Sequence, residues 1–88
     1  PSAIVLEVAY PNPFNPSTMI QFGITEDAQV KMVVYDITGG EVSVLADNQF
    51  NAGYHQVTWD ASGQTSGMYF VTITSDLGTQ TQKLMLVK

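Results

Sequence analysis

Few residues in this sequence could carry out covalent chemistry. His55 is the only histidine in 88 residues and cysteine is absent, so serine with histidine is the one nucleophile–base pair that the composition permits. His55 alternates in phase with Val57 and Trp59, which places it on the half-buried face of a strand. Asp60 falls on the opposite side of that strand and is poorly placed to orient the imidazole. We therefore predict that the chain is not an enzyme and that His55 is structural.

Acidic residues could bind a metal only if they cluster. The eight acidic residues are scattered, and none follows the spacing of an EF-hand calcium loop. Glu26 and Asp27 are adjacent and could join loop carbonyls in a looser calcium site. Acidic residues in turns more often accept backbone hydrogen bonds, so we predict no metal and no cofactor.

Exposed aromatic rings could stack on a sugar. Tyr54, Phe50 and Phe70 are the candidates, although such rings also cover the ends or outer faces of β-domains. The pattern favours this second role. An accessory immunoglobulin-like binding module, for example a carbohydrate-binding one, and a structural spacer on a secreted enzyme remain alternative functions.

The charge balance restricts the partners. The net charge is −5, with three lysines and no arginine, which disfavours binding to nucleic acid or to an anionic lipid surface. No apolar run reaches the roughly 20 residues that a transmembrane helix needs. Because the sequence begins at Pro1 and not at methionine, we expect it to be part of a longer protein whose upstream domains are its neighbours.

The hydrophobic periodicity that would position these residues is that of an all-β protein. Apolar residues alternate with polar ones at period two, turn residues separate the runs, and no stretch has helical periodicity. The predicted strands cover residues 4–9, 18–24, 29–37, 41–45, 54–60, 67–74 and 80–88. This pattern predicts a seven-stranded β-sandwich of the immunoglobulin or fibronectin-III-like kind.

Large inward-facing residues should form the core of this sandwich. The predicted core residues are Phe22, Trp59, Tyr69 and Ile73. Tyr69 stands near the start of the penultimate strand, as does the tyrosine corner of such folds. In the first strand, the residues expected to face inward are Ile4, Leu6 and Val8.

The composition of two connections predicts their structure. The adjacent glycines Gly39 and Gly40 predict a hairpin turn of type I′, in which both residues have positive φ. Residues 46–53 are polar and are predicted to form a loop with Phe50 as its apolar anchor.

Three prolines within six residues interrupt the strand pattern between residues 10 and 17. Each proline fixes φ and lacks an N–H donor, so neither a helix nor a central strand can pass through. We therefore divide the single domain into a first strand at 1–9, a rigid proline-rich bridge at 10–17 and the remaining strands at 18–88. Phe14, one of two aromatic residues on the bridge, is predicted to plug the open end of the sandwich.

The last predicted strand has Leu84 and Leu86 facing inward and Lys83 and Lys88 facing outward. We expect it to leave a free edge. Another sheet could extend such an edge by β-augmentation, and edge lysines also protect against aggregation.

Five segments stand in one order along the chain, at residues 10–18, 34–42, 52–60, 66–70 and 82–88. They read YPNPFNPST, VYDITGGEV, AGYHQVTWD, SGMYF and QKLMLVK. Together they resemble the C-terminal sorting domain, type A, of proteins exported by type IX secretion. The resemblance extends from about residue 8 to Lys88. Related immunoglobulin-like domains of a flagellar hook-capping protein share parts of the pattern.

The resemblance implies an immunoglobulin-like sandwich that directs a secreted protein through the outer-membrane translocon, by way of the periplasm, to the cell surface or the medium. The implied partners are the translocon and the surface sortase machinery. The residues that match the family's motifs, and hence the sorting and recognition candidates, are Pro11, Asn12, Pro13, Gly67, Tyr69, Lys83 and Lys88. One departure is Gly40, where the family usually has arginine, which puts in doubt any recognition step that uses that guanidinium.

Overall fold

The computed structural model describes residues 3–88, and they form two antiparallel sheets. The strands are β1 (Ile4–Leu6), β2 (Ser17–Ile24), β3 (Ala28–Asp36), β4 (Glu41–Phe50), β5 (Gly53–Asp60), β6 (Gly67–Ser75) and β7 (Gly78–Leu86). One sheet has the order β1-β2-β5 and the other the order β4-β3-β6-β7. The prediction of an all-β, seven-stranded sandwich is confirmed.

The core lies between the two sheets and follows the period-two pattern of the sequence. Every second residue of β2 faces inward, and Ile20, Phe22 and Ile24 are buried. The residues predicted to form the core, Phe22, Trp59, Tyr69 and Ile73, are all buried. A fully buried side chain of this size contributes about 1.5–3 kcal/mol relative to an exposed one. Since cysteine is absent, no disulfide supplements this packing.

The prediction that Val8 of the first strand faces inward is wrong. Val8 is 79% exposed, whereas Ala9 is 2% exposed. Leu6 lies opposite Phe22, yet Tyr10 lies opposite Met19, so the first segment holds one residue more than β2 between these pairs. This extra residue acts as a β-bulge and moves the side chains that follow to the other face.

The hairpin between β3 and β4 is not the predicted type I′ turn. Only Gly39 has positive φ, at 88°. The Gly39 N–H donates to the Asp36 carbonyl (3.1 Å), and the Asp36 N–H donates to the Gly40 carbonyl (2.9 Å). This is a three-residue loop with glycine in the left-handed position. Such a loop needs a positive φ at only one residue. The Asp36 carboxylate stabilises it by accepting hydrogen bonds from Thr38 N–H and Gly40 N–H.

The loop predicted at residues 46–53 is also wrong, because β4 continues to Phe50 along β3. At the edge of a sheet, polar side chains such as Asp47 and Asn48 reach solvent, so the strand needs no apolar alternation. The register against β3 shifts twice, because Leu45 and Val42 are extra residues in β4, and these shifts interrupt the period of β4.

The proline bridge leaves the first sheet and returns to it by way of the second. Tyr10 pairs with Met19 of β2, and Phe14 then pairs in parallel with Leu86 of β7. Phe14 is 2% exposed and packs on Trp59 with ring centroids 5.5 Å apart. The bridge therefore supplies a core side chain at this end of the sandwich, as predicted for Phe14.

Candidate functional site

Asn12 is bound to the outer edge of β7 through its side-chain amide. Its Nδ2 donates to the carbonyl of Lys83, and its Oδ1 accepts from the N–H of Met85, both at 3.0 Å. Phe14 continues the same edge with its backbone, since its N–H donates to the Met85 carbonyl (2.9 Å) and its carbonyl accepts from Val87 N–H (3.0 Å). The side-chain amide thus occupies groups on β7 that a neighbouring strand would pair with.

The free edge predicted for the last strand is therefore wrong over its carboxyl-terminal half. The backbone groups that point outward between Lys83 and Val87 are already paired with Asn12 and Phe14. The sequence did not predict this pairing, because prolines lack the backbone N–H with which a strand pairs. The side-chain amide of an asparagine between two prolines can donate and accept in place of the missing backbone groups.

Thr18 holds the beginning of the bridge in place. Its side chain is 1% exposed, and its hydroxyl donates to the Pro11 carbonyl at 2.7 Å. Thr18 is in phase with Ile20 and Phe22, so a signal was present in the sequence. A hydroxyl on the inward face of a strand must have a hydrogen-bonding partner.

Three aromatic rings connect the bridge to β6. Phe14 packs on Trp59, and Trp59 packs edge-on against Tyr69 with centroids 5.3 Å apart. The Tyr69 hydroxyl donates to the Thr65 carbonyl at 2.7 Å, four residues upstream, which is the hydrogen bond of a tyrosine corner. Gly67 lies between these two residues with φ at 150° and pairs with Leu86 of β7. That φ favours glycine, so the Gly-x-Tyr motif fixes how β6 begins.

The two lysines of the candidate set lie beside this cluster. Lys83 is exposed, opposite Phe70 of β6. Lys88 is exposed as well, and its Nζ donates to the Ser62 carbonyl at 2.7 Å while its N–H donates to the Ser66 hydroxyl at 3.0 Å. The seven candidate residues form three motifs, namely Pro-Asn-Pro at residues 11–13, Gly-x-Tyr at residues 67–69 and the two lysines at the end of the chain. The structure brings these three motifs together at one end of the sandwich.

This convergence agrees with a family comparison. Residues 8–88 match the family described as the secretion system C-terminal sorting domain. The chain belongs to this family. No curated protein and no solved structure matches the chain. As a type IX sorting domain, it marks a protein for secretion to the cell surface or the medium, and its family is one of non-catalytic signal modules.

Two glutamines on the inward face of β7 join this strand of the sorting domain to residues 4–9. Gln80 donates to the Ile4 carbonyl (2.9 Å) and accepts from Leu6 N–H (2.7 Å). Gln82 repeats the arrangement with the Glu7 carbonyl (2.8 Å) and Ala9 N–H (2.7 Å). Both side chains face inward at the seam between the sheets, so their amides take the place of a missing strand.

His55 has the structural role predicted for it. The imidazole is half-buried and packs between Phe22 and Phe50, with ring centroids 5.4 and 4.9 Å away. Its Nε2 lies 2.7 Å from the Asn51 carbonyl. Phe50 is therefore engaged by the core and by His55 and is not free to stack on a sugar.

The acidic residues act on the backbone of turns. Asp27 Oδ1 accepts from Ala52 N–H at 2.8 Å, and no group of three or more potential metal ligands occurs within residues 3–88. The hydroxyl of Thr38 and neighbouring backbone N–H groups lower the pKa of Asp36 below its ordinary value. Ser62 lowers the pKa of Asp60 in the same way, through its hydroxyl and its N–H.

The part of the sorting domain that the structure describes contains no helix long and apolar enough to cross a membrane.

Proposed function

We propose that the end of the sandwich where the proline bridge meets β7 is the surface by which the outer-membrane translocon and the surface sortase machinery recognise this sorting domain. The observation that supports it most is the pair of hydrogen bonds from Asn12 to Lys83 and Met85. These bonds join the Pro-Asn-Pro motif to the lysine-bearing strand, so that the two motifs present one surface.

The seven candidate residues would divide the work according to their exposure. Pro11, Pro13, Lys83 and Lys88 are exposed and available to a partner. Tyr69 is only 5% exposed, so it would position the surface without touching the partner. Gly67 and Asn12 would act in the same way, the first through its backbone conformation and the second through its hydrogen bonds to β7.

In this proposal, residues 1–88 act as one domain without a catalytic residue or a cofactor. The work of the chain is to be bound, and its other neighbours are the upstream domains of the protein that it exports. Gly40 takes the position of the usual arginine, so recognition would not depend on a guanidinium at that site.

The test is a fusion of residues 1–88 to a fluorescent reporter that bears a periplasmic export signal. Reporter in the medium and on the cell surface is measured in a type IX-competent cell and in a strain that lacks the translocon. We expect export of the fusion only in the competent cell, and retention of the unfused reporter in both. Retention of the fusion in the competent cell would refute the proposal and favour a structural spacer.

One observation supports a carbohydrate-binding role as a second candidate. The Tyr54 ring is 70% exposed and packs over Gly23, where a Cβ atom would come within 2.7 Å of the ring. It thus forms a flat aromatic platform on the outer face of the three-stranded sheet. A glycan array with the intact domain tests it, since this role requires binding that Tyr54→Ala abolishes. An array without any bound glycan removes this candidate.

A further inference from the structure

The outer face of the four-stranded sheet carries an apolar patch at the same end of the sorting domain. This patch consists of Tyr35, Met68, Phe70, Met85 and Val87, and we call it the outer patch. Tyr35 lies directly opposite Phe70, and Met68 lies directly opposite Met85. The side chains of β3, β6 and β7 that alternate with them are buried in the core, so those of the outer patch point away from it.

The apolar character is concentrated at this end of the face. In the middle of the sheet it continues only to Val33 and to the residue opposite it, Val44. Four of the patch residues are half-buried, and Val87 is 51% exposed. The other end of the same face carries Gln29, Lys31, Thr74, Thr79 and Thr81. A solvated sheet face is normally polar along its whole length, so an apolar cluster at one end indicates a contact surface.

Two clefts border the outer patch and could receive side chains of a partner. One, of about 140 Å³, lies at Met68 and Ile37, and Ile37 is itself 72% exposed. The other, of about 480 Å³, is lined by Pro11, Pro13 and Val87. The second cleft makes the outer patch continuous with the proline bridge.

The charges around the outer patch indicate which charge a binding partner should carry. The row across the sheet runs from Glu41 through Tyr35 and Phe70 to Lys83, so it is acidic at the β4 edge and basic at the β7 edge. Lys88, directly after Val87, adds a second lysine at the basic edge of a chain whose net charge is −5. A second copy of this chain would bring another net charge of −5 with it, and like-charged domains repel each other.

We propose that the outer patch is the docking surface for a protein of the secretion machinery that offers apolar side chains to the two clefts and an acidic group to Lys83. This inference rests on the proposed function and deepens it, because it names the face that is bound and the chemistry of the partner. Apolar contacts hold the two surfaces together, and the charges set their relative orientation.

The test uses the same reporter fusion, with export measured in the competent cell. Two exposed residues are changed together in Ile37→Ser/Val87→Ser, which should leave the core intact, and Val8→Ser serves as a control with 79% exposure away from the patch. Phe70→Thr is a second variant at the centre. Lys83→Glu reverses the charge, Lys83→Arg keeps it, and Lys31→Glu is the control on the polar end of the same face.

We expect export to fall at least fivefold in Ile37→Ser/Val87→Ser, in Phe70→Thr and in Lys83→Glu, with unchanged thermal midpoints in the first and third. Val8→Ser, Lys83→Arg and Lys31→Glu should stay within twofold of the wild type. If the wild-type fusion and Ile37→Ser/Val87→Ser are both exported fully, the outer patch is not the docking surface, whereas the proposed function still holds. A dimer in solution that Phe70→Thr dissociates would also overturn it, since the patch would then bind a second copy.

Discussion

Asn12 makes two hydrogen bonds to the backbone of β7, and both partners lose them if the amide is removed. We predict that Asn12→Ala lowers the free energy of unfolding by about 1–2 kcal/mol, since each such bond contributes about 1 kcal/mol net. Asn15→Ala, a change of the same kind elsewhere on the bridge, is the control. Urea denaturation of the domain measures both variants. An unchanged midpoint for Asn12→Ala would contradict the role assigned to this amide.

The Tyr69 hydroxyl offers a second test at a single atom. Tyr69→Phe keeps the ring against Trp59 but leaves the Thr65 carbonyl without its 2.7 Å donor. We predict a loss of about 1–1.5 kcal/mol in thermal or urea unfolding, the usual net contribution of a hydrogen bond. Tyr54→Phe is the control, because that ring is exposed. Equal stability of the two variants would show that the corner bond contributes nothing.

Asp36 and Asp60 should make the domain sensitive to acid. Their folded-state pKa values lie below the ordinary value of 3.8, so each carboxylate stabilises the fold above that value. This contribution is lost as the pH falls through the lower folded-state pKa. We predict that Asp36→Asn flattens the decline of the thermal midpoint between about pH 5 and about pH 2. Asp76→Asn controls for the removed charge, and an equally steep decline in Asp36→Asn would contradict the assignment.

Single residues explain why part of the site was predictable from sequence and part was not. Tyr69 and Gly67 belong to a local pattern whose geometry is set within a few residues. The partners of Asn12 lie 71 and 73 residues away, so no local rule could identify them. Gln80 and Gln82 were missed for the same reason, since their amides bind segments more than 70 residues away.

At the scale of elements, β7 carries one of the two lysines that we propose for recognition and is also part of the core. Leu84 is 0% exposed and Leu86 is 1% exposed, and replacing one such leucine by alanine costs about 2–5 kcal/mol. Removing residues 83–88 deletes both leucines together with the partners of Asn12 and Phe14. The loss is comparable to the whole stability of a small domain.

We therefore predict that a chain truncated before Lys83 shows no cooperative thermal unfolding by circular dichroism. A failure of this truncated chain to be exported would not distinguish a lost signal from a lost fold. Point substitutions of the exposed lysines avoid this ambiguity, because they leave Leu84 and Leu86 in place. Cooperative unfolding of the truncated chain near the wild-type midpoint would contradict the prediction.

The strands were predictable where alternation is strict and both faces differ, as in β2, β5 and β6. They were not predictable where an edge position or a bulge overrides the pattern. Polar residues continue β4 to Phe50 because its outer side meets solvent, and one extra residue after Leu6 reverses the phase of Val8 and Ala9. These features depend on neighbouring strands, which a local period does not report.

For the whole molecule, the order of the motifs along the chain predicted the family and its fold, which no single residue could do. The family match begins at residue 8, yet β1 at Ile4–Leu6 pairs with β2 and is bound by Gln80. A fusion that begins at residue 8 would therefore lose a strand that completes the sandwich. All export experiments should use residues 1–88.

The central proposal is that the secretion machinery binds the end of the sandwich that carries the exposed lysines Lys83 and Lys88. The most direct measurement is export of the fluorescent fusion with Lys83→Gln and Lys88→Gln combined, alongside Lys31→Gln and a thermal unfolding curve for each variant. We predict at least a tenfold loss of export for the double variant, cooperative unfolding near the wild-type midpoint, and full export of Lys31→Gln. Wild-type export of the double variant would contradict the account.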